Sequence, residues 1–347
     1  MGGAGPFEIG GVIVVPGTRQ TVELPVSVLS DHTPVTLSAH VVHGRRVGPT
    51  MFVSAAVHGD EVIGVEIVRR LLRTPNLNNL KGTLIAVPIV NSFGFMNHSR
   101  YLPDRRDLNR SFPGSAEGSL AARLANLFLK EVVMRSSIGI DVHSAAIHRT
   151  NLPQVRVSPS KSRTMELAEA FGAPLILTSG VRDGSLRQAA AAHNIDILLY
   201  EAGEGLRFDE IGVRTGVSGI LRVMHKLGMV SGRGITQPRV LPIQSSSSYW
   251  QRAPAGGLLR TFKTTGEEVS RGDILGMIAD PFGEAETEIT AHYGGLIIGR
   301  TNLPIVNEGD GLFHIAKIKS ADNPVATIDH LASQLEADPL FDEDEII

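Results

Sequence analysis

The sequence contains no cysteine among its 347 residues. Disulfide frameworks, thiolate nucleophiles and cysteine-based zinc sites are therefore excluded, and any metal site must use histidine and carboxylate ligands. The net charge is only -3, so no basic surface for nucleic acid or anionic membranes stands out. No apolar run approaches the roughly 18 residues of a spanning helix, and the first residues lack the charged start of a signal peptide. These absences predict a soluble, cytoplasmic protein that binds neither nucleic acid nor a membrane.

Short apolar segments alternate with amphipathic segments from about residue 45 to residue 230. "MFVSAAV" and "GTLIAVPIV" are short and continuously apolar, as strands buried on both faces are. The segment "EVIGVEIVRRLLR" repeats its apolar residues at helical spacing. The alternation predicts an α/β fold with a largely parallel or mixed sheet, and the first 45 residues predict antiparallel strands ahead of it.

The remaining segments differ in character. Residues 236–250 are rich in glycine, proline and serine and predict a linker. Residues 251–320 hold many glycine turns and short strands, which predicts a small all-β module of barrel or hammerhead type. Carrier domains of that type need a lysine at a hairpin tip, and "AETEITAHYGG" has none, so we expect a cap over a pocket or a homo-oligomer contact instead.

Residues 1–235 would form the catalytic domain, and 321–347 a mobile acidic tail.

Polar groups follow three of the predicted buried strands directly. His58 and Glu61 follow the first strand, and His143 closes "IDVH". Glu201 closes "LLYE" in the same way. Sites in open α/β sheets gather at the carboxyl ends of strands, so we expect these side chains to meet. Two imidazoles and a carboxylate suit a catalytic zinc ion, which keeps one position open for water.

Other polar residues near these strand ends have supporting roles. Asp141 lies two residues before His143 on the same strand face and is placed to accept a hydrogen bond from a ligand imidazole. Asp60 is expected to serve the following helix as its N-cap or in its first turn. Arg149 and Arg182 are weaker candidates for contacts to an acyl group.

Four motifs, in order, resemble the succinylglutamate desuccinylase/aspartoacylase family, a deacylase branch of the zinc carboxypeptidase-like hydrolases. They are "HGDE" at 58–61, "RDLNRSFPG" at 106–114, "DVHS" at 141–144 and "YEAG" at 200–203. The resemblance covers roughly residues 45 to 230 and extends to the β module. It implies the three-layer α/β/α fold of the zinc carboxypeptidases and one zinc ion per chain.

The resemblance also implies a role for each matching residue at the strand ends. His58, Glu61 and His143 would hold the zinc ion. Glu201 would match the general base of the family.

A second set of matching residues would bind the substrate. Asn109 and Arg110 match the pair that grips the α-carboxylate of the substrate. Arg100 lies where the family carries an arginine that polarises the scissile carbonyl. The gap from Arg100 to Asn109 is longer than in aspartoacylase itself, so Arg105 and Arg106 compete for this role.

These groups together suit amide hydrolysis. Zinc activates water and polarises a carbonyl, a carboxylate moves the proton, and an arginine fork fits a planar carboxylate. We therefore predict zinc-dependent hydrolysis of a small N-acyl amino acid, with a metal-bound water as nucleophile. Three alternatives stay open: an N-acetyl-2,4-diaminobutyrate-type deacetylase of ectoine breakdown, a zinc carboxypeptidase for short peptides, and a binding protein with an idle site.

Overall fold

A computed structural model describes residues 2–159, 162–238, 240–319, 324–336 and 338. The strands in this part of the chain are β1 (Phe7–Ile9), β2 (Val12–Val14), β3 (Thr18–Val28), β4 (Pro34–His43), β5 (Arg46–Ala55), β6 (Lys81–Val87), β7 (Ile138–His143), β8 (Arg149–Val157), β9 (Leu175–Thr178), β10 (Asp196–Gly203), β11 (Ile243–Ser245), β12 (Ser248–Arg252), β13 (Gly257–Thr261), β14 (Glu268–Val269), β15 (Ile274–Ala279), β16 (Glu286–Thr290), β17 (Gly295–Thr301), β18 (Ile305–Val306) and β19 (Gly311–Ala316). The helices are α1 (Ile63–Arg73), α2 (Ser92–Met96), α3 (Leu120–Phe128), α4 (Ser162–Phe171), α5 (Leu186–Ala192), α6 (Glu210–Lys226) and α7 (Pro324–Glu336). Single helical turns lie at Pro75–Asn79, Leu108–Arg110 and Leu129–Val133.

Parallel strands form the centre of the main sheet. β5 lies between β6 and β7, and β10 lies beside β7, all four in the same direction. Every residue of β7 is buried. A strand covered on both faces needs this apolar composition, because neither face meets water.

Helices cover both faces of this sheet. α1, α4 and α6 pack on one face in a buried cluster that includes Ile67 and Ile220. α3 and α5 pack on the other face, where Phe52 and Phe128 are buried. Ser119 is the N-cap of α3, because its hydroxyl accepts a hydrogen bond from the Ala122 amide. The mixed α/β fold with a large mixed sheet is therefore confirmed.

The sheet is less parallel than the sequence predicts. β4 and β3 extend it in antiparallel fashion beyond β6. β8, β17, β19 and β12 extend it in antiparallel fashion beyond β10. Of the two predicted alternatives, a largely parallel sheet and a mixed sheet, the structure has the mixed one, because antiparallel strands add to both sides of the parallel centre.

The C-terminal β strands are joined to the main sheet. β17 pairs with β8, with Gly299 opposite Asn151. A separate buried cluster that includes Leu152, Leu296 and Ile298 fills this junction. A four-stranded antiparallel sheet in the order β16-β15-β13-β18 completes the C-terminal part. The C-terminal part is all-β up to α7, as predicted, but some of its strands continue the main sheet.

Two segments are more ordered than the sequence predicts. Within the expected linker 236–250, β11 pairs with β9 because Ile243 is buried in the junction cluster. Within the expected tail 321–347, residues 324–336 form α7. Leu331 and Leu335 of α7 are buried, and this apolar face outweighs the acidic composition. The rest of that tail, apart from residue 338, lies outside the described residues.

No helix in the described part of the chain is both long and apolar enough to cross a membrane.

Gly139 packs against the ring of Phe52, and a substitution there tests the packing of the sheet. A Cβ at Gly139 would lie 2.0 Å from Cζ of Phe52, whose side chain is fully buried. We expect Gly139→Ala to lower the free energy of unfolding by about 1–3 kcal/mol, as overpacking does. Urea unfolding measures this.

The matched control is Gly180→Ala, because a Cβ at Gly180 meets nothing within 4 Å. We expect it to leave the midpoint unchanged or to raise it slightly. Adding Phe52→Leu to Gly139→Ala should recover part of the loss. Equal stability of the two single alanine variants would contradict this account of the packing.

Candidate active site

The first two site residues stand in a turn between β5 and α1. His58 and Glu61 follow the buried end of β5, and α1 begins at Ile63. Gly59 lets this turn pass close to α2, because a Cβ there would lie 1.9 Å from the backbone carbon of Gly94. A side chain at position 59 would therefore push the turn away from α2.

Glu61 is the centre of the site and is almost fully buried. Its Oε1 lies 2.7 Å from Nδ1 of His58, and its Oε2 lies 2.7 Å from Nδ1 of His143. Arg100 donates to Oε1 at 3.3 Å, and the Ser144 amide donates to Oε2 at 3.3 Å. The structure thus brings together the three residues that the sequence predicts as metal ligands.

The outer nitrogens of both imidazoles face carboxylates. Nε2 of His58 lies 3.1 Å from Oδ1 of Asp107, and Nε2 of His143 lies 2.7 Å from Oδ2 of Asp141. The Ser54 hydroxyl donates to the other oxygen of Asp141 at 2.7 Å. Carboxylates in these positions hold a proton on Nε2 and leave the Nδ1 lone pairs directed inward, as partners of metal-binding histidines do.

The charges of this network shift its pKa values. Burial opposes protonation of His58, but the Glu61 and Asp107 carboxylates outweigh burial and raise the pKa of its imidazole. Burial is likewise outweighed at His143, where Asp141 and Glu61 raise the pKa well above its usual value. Burial would raise the pKa of Glu61, yet the two imidazoles hold it well below its usual range. Protons therefore compete with a metal ion for the inner nitrogens.

The donor set fits a divalent metal ion. One ligand atom from each of His58, Glu61 and His143 lies within 4.8 Å of the others, and all three residues are buried. Two imidazole nitrogens and a carboxylate oxygen are the ligands of catalytic zinc sites, and no cysteine is required. This buried group can therefore hold a metal ion.

Asp60 does not cap the following helix, so that prediction is wrong. The N-cap of α1 is Val62, and no side chain caps this helix. The Asp60 carbonyl accepts hydrogen bonds from the amides of Val62 and Leu206, so this residue belongs to the turn. Burial and the neighbouring Glu61 raise the pKa of the Asp60 carboxyl.

Glu201 stands near the end of β10 and is held by two residues of β8. The Asn151 amide donates to Oε2 of Glu201 at 2.5 Å, and Arg156 lies 3.2 Å from Oε1. Gly299 of β17 makes room for Asn151, because a Cβ there would lie 2.7 Å from the Asn151 side-chain oxygen. A C-terminal strand therefore helps to position this carboxylate.

The expected α-carboxylate ligands also line the pocket. Asn109 and Arg110 lie in a single helical turn. The side-chain oxygen of Asn109 accepts a hydrogen bond from the Leu186 amide at 2.9 Å. Arg110 donates to the carbonyl of Asn109 at 2.5 Å. Both side chains are thus fixed by local contacts at the wall of the pocket.

Of the three arginines that compete to polarise a carbonyl, Arg100 alone is among the residues that line the pocket. It donates to Asp107 at 3.0 Å as well as to Glu61. Arg106 pairs instead with Asp104 at 3.4 Å. The geometry therefore favours Arg100 over Arg105 and Arg106.

The pocket has a volume of about 210 Å³, which suits a small molecule. Its charged lining is mostly basic: three carboxylates stand against six guanidinium groups, on Arg100, Arg110, Arg149, Arg156, Arg182 and Arg187. Nη1 of Arg187 is buried and has no hydrogen-bond partner in the part of the chain that the structure describes. Burial and the nearby Arg156 lower the pKa of Arg187. An anion is the natural partner for such a wall.

Sequence reasoning missed several residues of the site. Asp107 lies inside the motif "RDLNRSFPG", so its carboxylate could have been noticed beside the basic residues. Asn151 and Arg156 lie on β8, whose own sequence contains no recognisable motif. Arg187 and Trp250 also line the pocket, and nothing in the local sequence around them indicates it.

Known proteins are similar to this chain in sequence and in fold. The sequence model "Succinylglutamate desuccinylase/Aspartoacylase catalytic domain" matches residues 47–227, more than half of the chain. An N-alpha-acetyl-L-2,4-diaminobutyric acid deacetylase from Halomonas elongata is 27% identical over 286 residues, covering 79% of this chain and 84% of the relative.

Two solved structures show how far the fold is shared. A succinylglutamate desuccinylase/aspartoacylase from Rhodobacter sphaeroides is 26% identical with a TM-score of 0.77, and the match covers 87% of this chain and 96% of that chain. The ectoine utilization protein of Ruegeria pomeroyi, solved with product bound, is 23% identical with a TM-score of 0.78, covering 87% and 97%. At 23% identity the second match supports the fold alone.

The donor set predicts that zinc stabilises the folded chain. At a free zinc concentration about 100 times the Kd, we expect stability to rise by about 2.7 kcal/mol. The shift should shrink from about pH 8 to about pH 6, because the raised histidine pKa values favour protons over metal. Thermal unfolding with and without zinc, after chelator treatment, measures both effects.

His143→Ala should lose most of the zinc-dependent shift and the bound zinc found by elemental analysis. His193→Ala is the matched control, because His193 is exposed at the end of α5. An equal zinc shift in the wild type and in His143→Ala would contradict the assignment of the ligands.

Proposed function

The chain belongs to the succinylglutamate desuccinylase/aspartoacylase family, and from this premise we propose that it is a zinc-dependent deacylase of small N-acyl amino acids. The observation that carries the proposal is the buried group of His58, Glu61 and His143, which opens on the same pocket as Glu201 and the arginines. A metal group beside a carboxylate and several cationic donors has the parts that amide hydrolysis needs.

The metal would be held by His58, Glu61 and His143. When bound there, zinc lowers the pKa of water to about 7 and polarises a carbonyl oxygen. Asp107 and Asp141 keep the two imidazoles oriented through their Nε2 atoms. This support matters because ligands held by a second set of hydrogen bonds need not reorganise during the reaction.

Glu201 acts as the general base in this proposal. It takes a proton from the attacking water and returns it to the nitrogen of the leaving amine. Asn151 and Arg156 fix its carboxylate against the pocket. Both contacts come from one strand, β8, so the orientation of the base depends on the placement of that strand.

The substrate is bound by the basic side of the pocket. Asn109 and Arg110 hold the α-carboxylate, and Arg100 donates to the carbonyl oxygen as it gains negative charge. Arg149, Arg156, Arg182 and Arg187 remain, and of these only Arg156 has a carboxylate partner in the described residues. These charges favour a substrate with a second carboxylate, on its acyl group or on its side chain.

Replacing the proposed base tests the mechanism. We expect Glu201→Gln to lower kcat by about 10²- to 10⁴-fold, the usual contribution of general acid-base catalysis, while bound zinc and the thermal midpoint stay near those of the wild type. Glu204→Gln is the matched control. Glu204 is a nearby carboxylate that bonds to Asn302 and to the His148 amide. Wild-type turnover by zinc-loaded Glu201→Gln would rule out this role.

A panel of substrates tests the substrate class. We expect kcat/KM for N-acetyl-L-glutamate, N-acetyl-L-aspartate or N-succinyl-L-glutamate to exceed that for N-α-acetyl-2,4-diaminobutyrate by at least about tenfold, or 1.4 kcal/mol. The reason is that the pocket repels a side-chain amine. The opposite order would assign this chain the activity named for its Halomonas relative. Hydrolysis of short peptides alone would support a carboxypeptidase, and binding without turnover would support an idle site.

A further inference from the structure

One residue of the pocket lining comes from the C-terminal β strands. Trp250 lies on β12 and lines the pocket together with residues of the catalytic sheet. It is the only tryptophan in the chain. The proposed chemistry gives this residue no role, yet its ring contacts both a histidine ring and a guanidinium group.

The indole of Trp250 rests on a prepared surface. His314 lies opposite it on β19, and the two rings stack with centroids 4.8 Å apart and planes 6° apart. Burial, with Arg156 and Arg182 nearby, lowers the pKa of His314 to about 3, so this ring is neutral at neutral pH. Gly311 leaves room for the indole, because a Cβ there would lie 2.9 Å from its Cε3 atom. The orientation of the indole is therefore fixed.

Arg149 lies over the same indole. Its guanidinium carbon is 5.1 Å from the ring centre, which is within the range of a cation-π interaction. Its backbone is anchored at the start of β8, opposite Thr301. Its side chain is exposed and has no carboxylate partner among the described residues. A flexible cation is thus held at the pocket by an aromatic face, with its hydrogen-bond donors still available.

We infer that Arg149 is a specificity-determining residue that binds the second carboxylate of the substrate, and that Trp250 is its positioning residue. The inference rests on the proposed deacylase function, because it names the group that selects among N-acyl amino acids. The C-terminal strands then form part of the binding site. Without the indole, the Arg149 side chain would be free to turn into solvent, and an anion would have to order it on binding.

Matched substrate pairs separate this role from a general loss of activity. N-acetyl-L-glutamate and N-acetyl-L-glutamine differ by one charge at the side chain, and N-succinyl and N-butyryl derivatives of one amino acid differ at the acyl group. The pair that the wild type distinguishes better is used. For Arg149→Gln we expect the ratio of kcat/KM within that pair to fall about tenfold or more, mainly through KM, as loss of a charge-assisted hydrogen bond predicts.

Trp250 variants test the positioning role. Trp250→Leu should reduce the same ratio severalfold, and Trp250→Phe should retain most of it, because phenylalanine keeps an aromatic face for the guanidinium. In the double variant Trp250→Leu with Arg149→Gln, the ratio should be no lower than in Arg149→Gln alone. Arg260→Gln is the charge control. Arg260 is exposed in the C-terminal part and pairs with Glu286, so the ratio should match that of the wild type.

Binding without turnover gives an independent measurement. The fluorescence of Trp250 reports on the pocket directly, since no other tryptophan contributes. Titration of zinc-loaded Glu201→Gln with the diacid, the member of the chosen pair that carries the second carboxylate, should give a saturable change in this fluorescence. Adding Arg149→Gln should shift the midpoint of the titration to about tenfold higher ligand concentration.

The outcomes separate this inference from the proposed function. If the wild type hydrolyses the pairs but Arg149→Gln and Trp250→Leu keep its ratio and its titration midpoint, the inference is overturned and the deacylase stands. If no N-acyl amino acid is hydrolysed, the proposed function fails. In that case a diacid titration that depends on Arg149 still supports the anion site, and one that does not overturns it as well.

Discussion

A charged carboxylate in a dry interior sets the arrangement of the site. Taking an ion out of water costs several kcal/mol unless partners surround it, and Glu61 is almost fully buried. Its partners come from three separate places along the chain: the turn after β5, the end of β7 with the Ser144 amide that follows it, and the loop that carries Arg100. The strands can supply them because β5 and β7 are adjacent and in register, with Ser54 opposite Asp141. A metal ion would take over much of this pairing, which links metal binding to the packing of the sheet centre.

The other half of the site depends on β8. This strand runs antiparallel to β10 and carries both partners of Glu201, and its other edge pairs with β17. One strand therefore orients the proposed base on one side and receives the C-terminal strands on the other. Because Arg149 begins the same strand, the position of the base and the position of the outer cation are not independent.

The parts of the site that the sequence predicts are those that follow a local rule. Polar residues after buried apolar strands point to the strand ends of an α/β sheet, and this rule places His58, Glu61, His143 and Glu201 around one pocket. The same reasoning fails for Asn151, because its contact with Glu201 depends on the pairing of distant strands and on the absence of a side chain at position 299. It also fails at Asp60, where a typical capping residue serves the turn instead of the helix. The strand β11 within the expected linker is missed for a related reason, since its pairing comes from the burial of Ile243 at a junction that no local pattern records.

The hydrogen-bonded sheet that runs without a break from β3 to β12 affects how the chain unfolds. Domains joined by a flexible tether unfold in separate steps, whereas a sheet shared across a junction couples the two parts, because opening β17 exposes the edge of β8 and the apolar cluster at Leu152. Melting of the C-terminal strands would then disturb Asn151 and the carboxylate that it holds. A truncation before β12 would leave the metal ligands in the chain and yet remove Trp250 from the lining of the pocket. Heat inactivation could therefore begin far from the metal centre, at the seam between two parts that differ in sequence character but form one cooperative unit.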